Sequence, residues 1–147
     1  MSSNQQIPKT TFKDIASTNI YFCYENDNVA TIAQLMRDNW TDTIFVKNDK
    51  DKVTGIITDG IIWDLIAKER GEKDPRSYRA KEIMYKNFIR VDCSTPIGSI
   101  DQLRELFDKT PIQRIGLEKN GVIVGLVRRK FIERVKRYSR NFSFELK

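Results

Sequence analysis

Arg128, Arg129 and Lys130 are three consecutive cations that follow the apolar run Val122–Val127. A helix is predicted to begin directly after this run. The positive end of its dipole repels each nearby cation, and this repulsion destabilises the fold by roughly 0.3–1 kcal/mol per cation. A bound anion would reverse that balance, because a helix N-terminus attracts negative charge. Alternatively, these side chains reach solvent or pair with acidic residues elsewhere in the fold. The cluster therefore leaves open a phosphate-bearing ligand, an acidic partner surface and a purely structural role.

The composition argues against catalysis. The sequence contains no histidine, which removes the commonest general base, the commonest metal ligand and the Ser-His and Cys-His nucleophile pairs. Cys23 and Cys93 each lie in a strand-like stretch without a second cysteine nearby, so both are predicted to be reduced thiols that pack as small core residues. Asp49 and Asp51 lie in a predicted hairpin turn and are expected to be solvated. We therefore expect neither a catalytic site nor a metal site.

The C-terminal segment carries the whole net charge of +6. Residues 128–147 hold eight Lys or Arg and two Glu, while the rest of the chain is neutral. Clustered Lys and Arg bind a phosphate backbone by releasing its counterions, so an acidic protein or a nucleic acid is a candidate partner for this segment. A solvated amphipathic helix with its charges outward is the alternative explanation.

An internal repeat with a period near 70 residues organises the chain. The segment Phe12–Met36 matches Ala80–Leu106 in the order of its elements. Each copy has a short leading segment, an apolar strand, a turn and a helix, and it continues with two strands around a polar turn and a closing helix. The fold class is therefore predicted to be α/β, with two β-α-β-β-α repeats.

Capping residues predict where the helices begin. In the first copy, residues 26–28 supply turn and N-cap chemistry before a helix, and Thr58 is placed to cap the closing helix through its hydroxyl group. In the second copy, Thr95 is the predicted cap, and Pro96 suits the first helical turn because its missing amide would be unpaired there anyway. The spacing predicts a helix from about residue 96 to residue 108.

The predicted organisation is one compact module of five segments. Residues 1–10 are expected to form a flexible N-terminus, 11–70 the first repeat, 71–79 a linker, 80–138 the second repeat and 139–147 a C-terminal tail. The linker is too short to separate independent domains. No apolar run approaches the roughly 18 residues that a membrane span needs, and the N-terminus lacks a secretory signal. We therefore expect a cytoplasmic protein with no membrane partner.

The chain resembles the tandem cystathionine-β-synthase (CBS) domain pair, also called a Bateman module, over roughly residues 12–138. The resemblance rests on the leading motifs KDIAS and KEIMY and on the stretches VTGIITDGIIWDL and VIVGLVRRKFIERV, which carry the last strand and closing helix of each copy. It implies two repeats that pack through their sheets with pseudo-twofold symmetry, and a homodimer that forms through the helical faces. It also implies an adenine nucleotide or related small molecule as the partner, with AMP, ADP, ATP or an S-adenosyl compound as the ligand and no resident cofactor.

The family's ligand motif is Gly-hydrophobic-x-Ser/Thr-x-x-Asp, in which the hydroxyl and the helix-start amides hold phosphate and the Asp holds the ribose. The first copy matches this motif at Gly55 and Thr58, and Ile61 occupies the position of the ribose-binding Asp. Asp59 adjoins Thr58 but is not aligned with that position. Ribose recognition is therefore expected to differ from the family pattern in the first copy.

The second copy matches the motif at Gly125 alone, with Arg128 at the hydroxyl position and Phe131 at the Asp position. The resemblance also assigns cleft-lining positions on the strands of both copies. Together, the candidate ligand-binding residues are Ile20, Tyr21, Phe22, Ile44, Thr58, Asp59, Phe88, Ile89, Arg90, Ile115, Arg128 and Arg129.

These observations favour a stand-alone regulatory module that senses an adenosine-containing or other phosphorylated ligand in a cleft between the repeats. The alternative is a nucleotide-independent interaction module that docks an acidic protein or a nucleic acid through its basic C-terminal surface. Trp40 and Trp63 are predicted to pack in the core, although the family uses the region around Trp63 for contacts between pairs.

Overall fold

The computed structural model describes residues 10–68, 71 and 73–132. The predicted flexible N-terminus, apart from Thr10, and the predicted C-terminal tail lie outside these residues. The closing helix of the second copy is described only at Phe131 and Ile132. In the described part of the chain, no helix has the length and apolar character needed to cross a membrane.

Both copies have the predicted alternation of strands and helices. A 3-10 turn at Pro75–Ser77 lies between α3 and α4. The elements are α1 (Phe12–Ile15), β1 (Phe22–Tyr24), α2 (Val29–Asp38), β2 (Thr43–Lys47), β3 (Val53–Thr58), α3 (Asp59–Lys68), α4 (Ala80–Ile83), β4 (Ile89–Asp92), α5 (Ile100–Asp108), β5 (Arg114–Lys119) and β6 (Val122–Arg128). The predicted α/β class is confirmed, with each copy contributing strands and helices in the same order.

Each copy forms its own three-stranded sheet. The sheets have the orders β1-β2-β3 and β4-β5-β6, and in each one the first two strands are parallel and the last two antiparallel. The parallel pairs are joined by α2 and α5, because two parallel strands need a crossover connection. Thr43 lies opposite Thr58 in the first sheet, and Arg114 lies opposite Arg128 in the second. These two pairs occupy equivalent places, at the end where each hairpin leads into a closing helix.

The side chains of β2 alternate between two buried environments. Ile44 and Val46 belong to the apolar cluster that also includes Ile32 of α2 and Ile62 of α3. Phe45 points to the opposite face of the sheet, since successive side chains of a strand alternate, and it is 0% exposed. The strand is therefore buried on both faces, which explains its continuous run of apolar residues.

The described chain divides into two compact units, each made from both sequence copies. The continuous unit is Ile20–Phe88, and the split unit consists of the residues up to Asn19 together with those from Ile89 onward. The prediction divided the chain at the linker 71–79, between the two sequence copies. The observed units instead divide after Asn19 and after Phe88. The difference arises from the two leading helices, α1 and α4.

In the split unit, α1 and the residues after it pair with the second-copy sheet. Ser17 and Leu126 exchange two backbone hydrogen bonds of 2.8 and 2.9 Å, and the amide of Phe12 donates to the carbonyl of Thr95 at 3.1 Å. Phe12 and Ile15 are buried in the apolar cluster of that unit. The leading helix of the first copy therefore completes the core built on the second.

The reciprocal arrangement holds in the continuous unit, where α4 packs with the first-copy sheet. Tyr85 and Ile56 exchange backbone hydrogen bonds of 2.9 and 3.0 Å, and the amide of Ala80 donates to the carbonyl of Asp27 at 2.8 Å. Ala80 is fully buried. Each sheet is thus completed by the leading helix of the other copy.

The predicted start of the 96–108 helix is wrong by about one turn, because α5 begins at Ile100. Pro96 forms a β-bridge with Thr11, so the backbone there is extended rather than helical. Gly98 then adopts a φ of +80°, which an α-helix does not permit. Ser99 is the observed cap, and its hydroxyl accepts the amide hydrogen of Gln102 at 3.1 Å.

Candidate functional site

Thr58 ends β3 and caps α3, as predicted from the sequence. Its hydroxyl oxygen accepts the amide hydrogen of Ile61 at 3.3 Å, which satisfies one of the unpaired donors of the first helical turn. The side chain is 4% exposed, and Thr43 opposite it is 2% exposed. We call the group Asp42, Thr43, Thr58 and Asp59 the acidic junction. Its two threonines form a buried polar pair directly before a helix.

The other amides at the start of α3 are also paired within the protein. The amide of Asp59 donates to the carbonyl of Asp42 at 3.0 Å, and the amide of Gly60 donates to the carboxylate of Asp59 at 2.9 Å. The hydroxyl of Thr43 donates to the carboxylate of Asp42 at 2.8 Å. Two carboxylates therefore lie at the helix start, where the helix dipole favours negative charge.

The aromatic candidates of the continuous unit gather around Phe45. The ring centroids of Phe22 and Phe88 lie 6.0 and 5.8 Å from that of Phe45. Both of these candidate ligand-binding residues therefore contact the same aromatic ring. The Lys47 ammonium lies 4.2 Å from the Phe22 ring centroid, a cation–π distance. Tyr21 is half-buried, and its carbonyl accepts the amide hydrogen of Phe45 at 2.9 Å.

The equivalent site of the split unit is built from Gln113, Arg114, Arg128 and Arg129, which we call the basic junction. The amide of Arg129 donates to the carbonyl of Gln113 at 3.2 Å, as Asp59 does to Asp42 in the acidic junction. The Arg129 guanidinium also donates to the Gln113 side chain at 3.0 Å and forms an ion pair with Asp108 at 2.9 Å. Of the alternatives left open for this cation, pairing with an acidic residue is thus observed.

Some candidate residues lie in the cores of their units. Ile44 and Ile115 are 0% exposed, and they belong to the apolar clusters of the continuous and split units, respectively. Ile89 is half-buried against the latter cluster. Arg90 is more exposed and pairs with Glu118 at 3.2 Å. Ile20 is half-buried at the start of the continuous unit.

Sequence reasoning missed the junction residues at the start of β2 and β5 and directly before them. Asp42 and Thr43 in one copy, and Gln113 and Arg114 in the other, carry no local motif. The repeat itself holds the signal, because these residues stand at equivalent places in the two copies, where the second strand begins. Pairing the two hairpins by their turns would have placed Thr43 opposite Thr58 and Arg114 opposite Arg128.

The outer surface of the continuous unit exposes large apolar side chains. Trp40 is 95% exposed, Trp63 64% and Ile66 50%, so the prediction that both tryptophans pack in the core is wrong. Trp40 follows the C-terminus of α2 with a φ of 52°, which turns the chain away from the helix. Trp63 is on α3 and directly follows the buried Ile62. We call these three residues the aromatic face.

A groove of about 420 Å³ adjoins the aromatic face and is lined by residues of α2, α3 and the start of the acidic junction. Met36 and Ile62 supply apolar surface, while Arg37 and Asp59 contribute opposite charges. Trp63 forms part of its wall. The groove and the exposed Trp63 ring therefore belong to one continuous surface, and Trp40 directly precedes Thr41 of the groove lining.

Both cysteines are free thiols. Cys23 is buried, and the loss of solvent around the thiolate, together with the charge of Asp27, raises the pKa of Cys23 to about 12. Cys93 is half-buried against the core of the split unit. Among residues 10–68, 71 and 73–132, no group of three or more His, Cys, Asp or Glu side chains is placed to hold a metal ion.

Comparison with known proteins connects this architecture to one family. Residues 12–62 match the CBS domain family. The chain is also similar to the uncharacterized protein YlbB of Bacillus subtilis, with 28% identity over 119 residues that cover 80% of this chain and 76% of YlbB.

Solved structures show the same fold. A CBS-domain containing protein from Agrobacterium tumefaciens superposes with a TM-score of 0.75 at 17% identity, covering 92% of this chain and 99% of that one. The CBS domain pair of the protein MJ0100, solved in complex with 5-methylthioadenosine and S-adenosyl-L-methionine, superposes with a TM-score of 0.73 at 22% identity. That match covers 90% of this chain and 99% of the MJ0100 pair.

Proposed function

We propose that this chain, a tandem CBS-domain module, is a non-catalytic regulatory protein that senses an adenosine-containing small molecule. The observation that carries the proposal is the pair of equivalent junctions, each of which places polar side chains at the end of a hairpin before a closing helix. The binding of 5-methylthioadenosine and S-adenosyl-L-methionine by the MJ0100 pair supports this ligand class. The absence of histidine from the sequence favours a regulatory role over a catalytic one.

The acidic junction suits the nucleoside part of such a ligand. Phe22 packs against Phe45, and both lie on the face of the sheet that carries Thr43 and Thr58. An aromatic ring is therefore available on the same face as the buried Thr43–Thr58 pair. An aromatic ring can stack on a purine, and hydroxyl groups can pair with its polar edge or with ribose. Apolar surface with a few convergent polar groups is the usual composition of a small-molecule site.

Calorimetric titration of the full chain tests this proposal. The panel is adenosine, 5-methylthioadenosine, S-adenosylmethionine, AMP, ADP, ATP and inorganic phosphate. A ligand that binds only the folded state adds about 2.7 kcal/mol of stability at a hundredfold excess over its Kd, so thermal unfolding supplies a second readout. We expect saturable binding of at least one adenosine compound.

The matched variants are Phe22→Leu and Tyr24→Leu. The first removes the ring proposed to meet the purine, and the second removes an exposed ring at the far end of β1. Phe22→Leu should weaken adenosine binding, while Tyr24→Leu should leave it unchanged. No binding across the panel, with salt-sensitive capture of an acidic protein or nucleic acid, would instead support the interaction-module alternative.

We further propose that two copies of the chain associate through the aromatic face. Exposed aromatic patches mark interaction surfaces, and tryptophan is enriched among residues that dominate binding energy. A twofold interface requires one surface to be complementary to itself. The aromatic face meets this requirement because projecting rings and an adjoining groove lie side by side, and the groove carries both Arg37 and Asp59.

Sedimentation velocity over a concentration series tests this association. We expect a dimer for the natural sequence and a monomer for Trp63→Glu, because a charge replaces an apolar anchor. Tyr24→Glu, which alters a 53% exposed ring outside the aromatic face, should remain dimeric. A natural chain that stays monomeric at every concentration would contradict the proposed dimer.

A further inference from the structure

The β5-β6 hairpin turns at an asparagine followed by a glycine, and the sequence contains no other such pair. Asn120 and Gly121 alone connect the two strands, and their φ angles are 54° and 80°. Positive φ at both central residues is the mark of a type I′ turn, for which Asn-Gly is a preferred pair. The pair suits the turn, but it also places two groups side by side that can react with each other.

The reacting groups are the side-chain amide of Asn120 and the backbone amide of Gly121. Asparagine is one of the chemically labile residues of proteins. When the Gly121 nitrogen attacks Asn120 Cγ, the new N–Cγ bond closes a succinimide ring, the Cγ–Nδ2 bond breaks, and ammonia leaves with the proton of the Gly121 amide. Water then opens the ring at Cγ, which gives aspartate, or at the main-chain carbonyl carbon, which gives isoaspartate. The conversion consumes water and releases ammonia, with no oxidation or reduction.

Both reacting groups are accessible in the folded protein. Within the part of the chain that the structure describes, neither the Asn120 side chain nor the Gly121 amide forms a hydrogen bond. A Cβ atom added at Gly121 would have no heavy atom within 4 Å apart from its chain neighbours, so the ring has space to form. Lys119 and Val122, which flank the turn, are exposed together with it. Solvent therefore reaches the turn from both strands.

The equivalent hairpin of the first copy protects its asparagine. Asn48 follows β2, and its side-chain oxygen accepts the amide hydrogens of Lys50 and Lys52 at 2.9 and 3.0 Å. These two bonds hold the carboxamide within the loop. The next residue is Asp49, whose side chain crowds the nitrogen that would have to attack. Asn48 thus differs from Asn120 in both its neighbour and its hydrogen bonding.

Two asparagines beside α2 are held in a similar way. The side-chain oxygen of Asn28 accepts the amide hydrogen of Thr31 at 2.9 Å, as a helix cap does. The side-chain nitrogen of Asn39 donates to the carbonyl of Leu35 at 2.9 Å. Valine and tryptophan follow these two asparagines, and both are bulkier than glycine. The combination of a glycine neighbour and an unbonded carboxamide therefore distinguishes Asn120 from them.

We infer that Asn120 is a site of spontaneous modification, at which the folded chain converts to an aspartate form and an isoaspartate form without an enzyme. The aspartate form keeps the turn, because Asp-Gly also suits type I′ geometry. The isoaspartate form lengthens the main chain by a carbon atom, which a two-residue turn does not accommodate. Pairing of Lys119 with Val122 is then lost, whereas Leu126 stays bound to Ser17. The modification therefore opens the tip of the hairpin and leaves its base in place.

Mass spectrometry of peptides from the aged full chain tests the inference. The protein is incubated at neutral and at mildly alkaline pH in water enriched in heavy oxygen, and it is digested in mild acid, where new succinimide forms slowly. The peptide that contains Asn120 should show the mass gain of an NH-to-O exchange together with the oxygen label. The gain should appear faster at alkaline pH, because the deprotonated Gly121 nitrogen is the attacking group. The peptide that contains Asn48 should be unchanged.

Two substitutions separate the effect of the dipeptide from the effect of the fold. Asn120→Gly removes the side-chain amide and keeps a pair that suits a type I′ turn, so the mass gain should be lost completely while the fold is retained. Asp49→Gly gives Asn48 a glycine neighbour and leaves its two hydrogen bonds in place. In the folded variant Asn48 should react more slowly than Asn120, and in urea the two should react at the same rate.

Hydrogen exchange of the aged protein supplies the structural readout. The isoaspartate form should lose protection at the amides of Lys119 and Val122, while the Leu126 amide keeps it. Conversion of Asn120 in the denatured chain but not in the folded chain would overturn the inference, because the turn would then protect the asparagine. Equal rates for Asn48 and Asn120 in folded Asp49→Gly would show that hydrogen bonding gives no protection. Unchanged exchange at Lys119 and Val122 would contradict the opening of the tip.

Discussion

At the scale of single residues, Gly55 shows how closely one side chain can restrict the backbone. A Cβ atom added at this position would contact the Met84 Sδ atom and would lie 2.7 Å from its Cγ atom. Gly55→Ala should therefore lower the free energy of unfolding by about 1–3 kcal/mol, as overpacking does. Urea denaturation measures the change.

Gly60→Ala is the control for this substitution, since the nearest atom to its added Cβ would be Thr58 Oγ1 at 3.7 Å. It should leave the free energy of unfolding unchanged or raise it, because alanine favours a helix. Equal stability of Gly55→Ala and the natural protein would mean that Met84 moves aside without cost.

Burial of the Cys23 thiol makes its chemistry depend on folding. Burial is the main cause of the rise of the Cys23 pKa from 9.0 to about 12, and only the thiolate is a good nucleophile. The folded state therefore favours the neutral thiol, and this contribution to stability is complete below pH 9 and is lost as the pH rises towards 12. At pH 8, mass spectrometry should find a thiol reagent on Cys93 but on Cys23 only after denaturation. Rapid labelling of Cys23 in the folded protein would contradict this assignment.

The candidate residues show which physical information the sequence holds. The cap at Thr58 was predictable because capping depends on neighbours three residues away. The exposure of Trp40 was not, because burial depends on how α2 ends and on what lies beyond it. Arg114 and Asp42 were missed for a related reason: their importance arises from strands paired across the hairpin. Local chemistry was therefore predictable, and long-range partnership was not.

At the scale of elements, the start of α5 is set by two competing influences. Thr95 and Pro96 are a favourable helix start in isolation, but the β-bridge from Thr11 to Pro96 holds the chain extended. Gly98 and Ser99 then provide the turn and the cap at which the helix begins. The prediction failed because a strand-like contact with a distant segment outweighed a local preference.

The cap of α5 is testable by substitution. Ser99→Ala leaves the Gln102 amide without its acceptor and should lower the free energy of unfolding by about 1 kcal/mol. Ser99→Asp retains an oxygen acceptor at the cap and should preserve most of the stability. The comparison is made by thermal and urea unfolding of the two variants. Identical losses in both would show that the hydroxyl group is not acting as the cap.

At the scale of the whole molecule, the exchange of leading helices joins the two sequence copies. Phe12 and Ile15 contribute two large buried side chains to the split unit, and truncation of each such residue commonly costs about 2–5 kcal/mol. Their combined loss is comparable with the roughly 5–15 kcal/mol that stabilises a small domain.

Deletion of residues 1–19 should therefore unfold the split unit and leave the continuous unit folded. Hydrogen exchange should report loss of protection in β4, β5 and β6, with protection retained in β1, β2 and β3. Protection retained throughout would show that α1 is dispensable. Loss throughout would show that the continuous unit depends on the split unit for its folding.

The division of the chain at Asn19 and Ile20 also sets an order of assembly during synthesis. The continuous unit has all its residues once the ribosome has translated Phe88. Ser17 of the split unit can form its backbone hydrogen bonds only after a wait, because its partner Leu126 is synthesised later. At translation rates of about 5–20 residues per second, this wait lasts roughly 5–20 s. Throughout that interval the apolar side chains of Phe12 and Ile15 have no native core to enter. Helix α1 is thus synthesised before the other described helices but is among the last of them to be placed, and its exposed side chains are a natural target for chaperones.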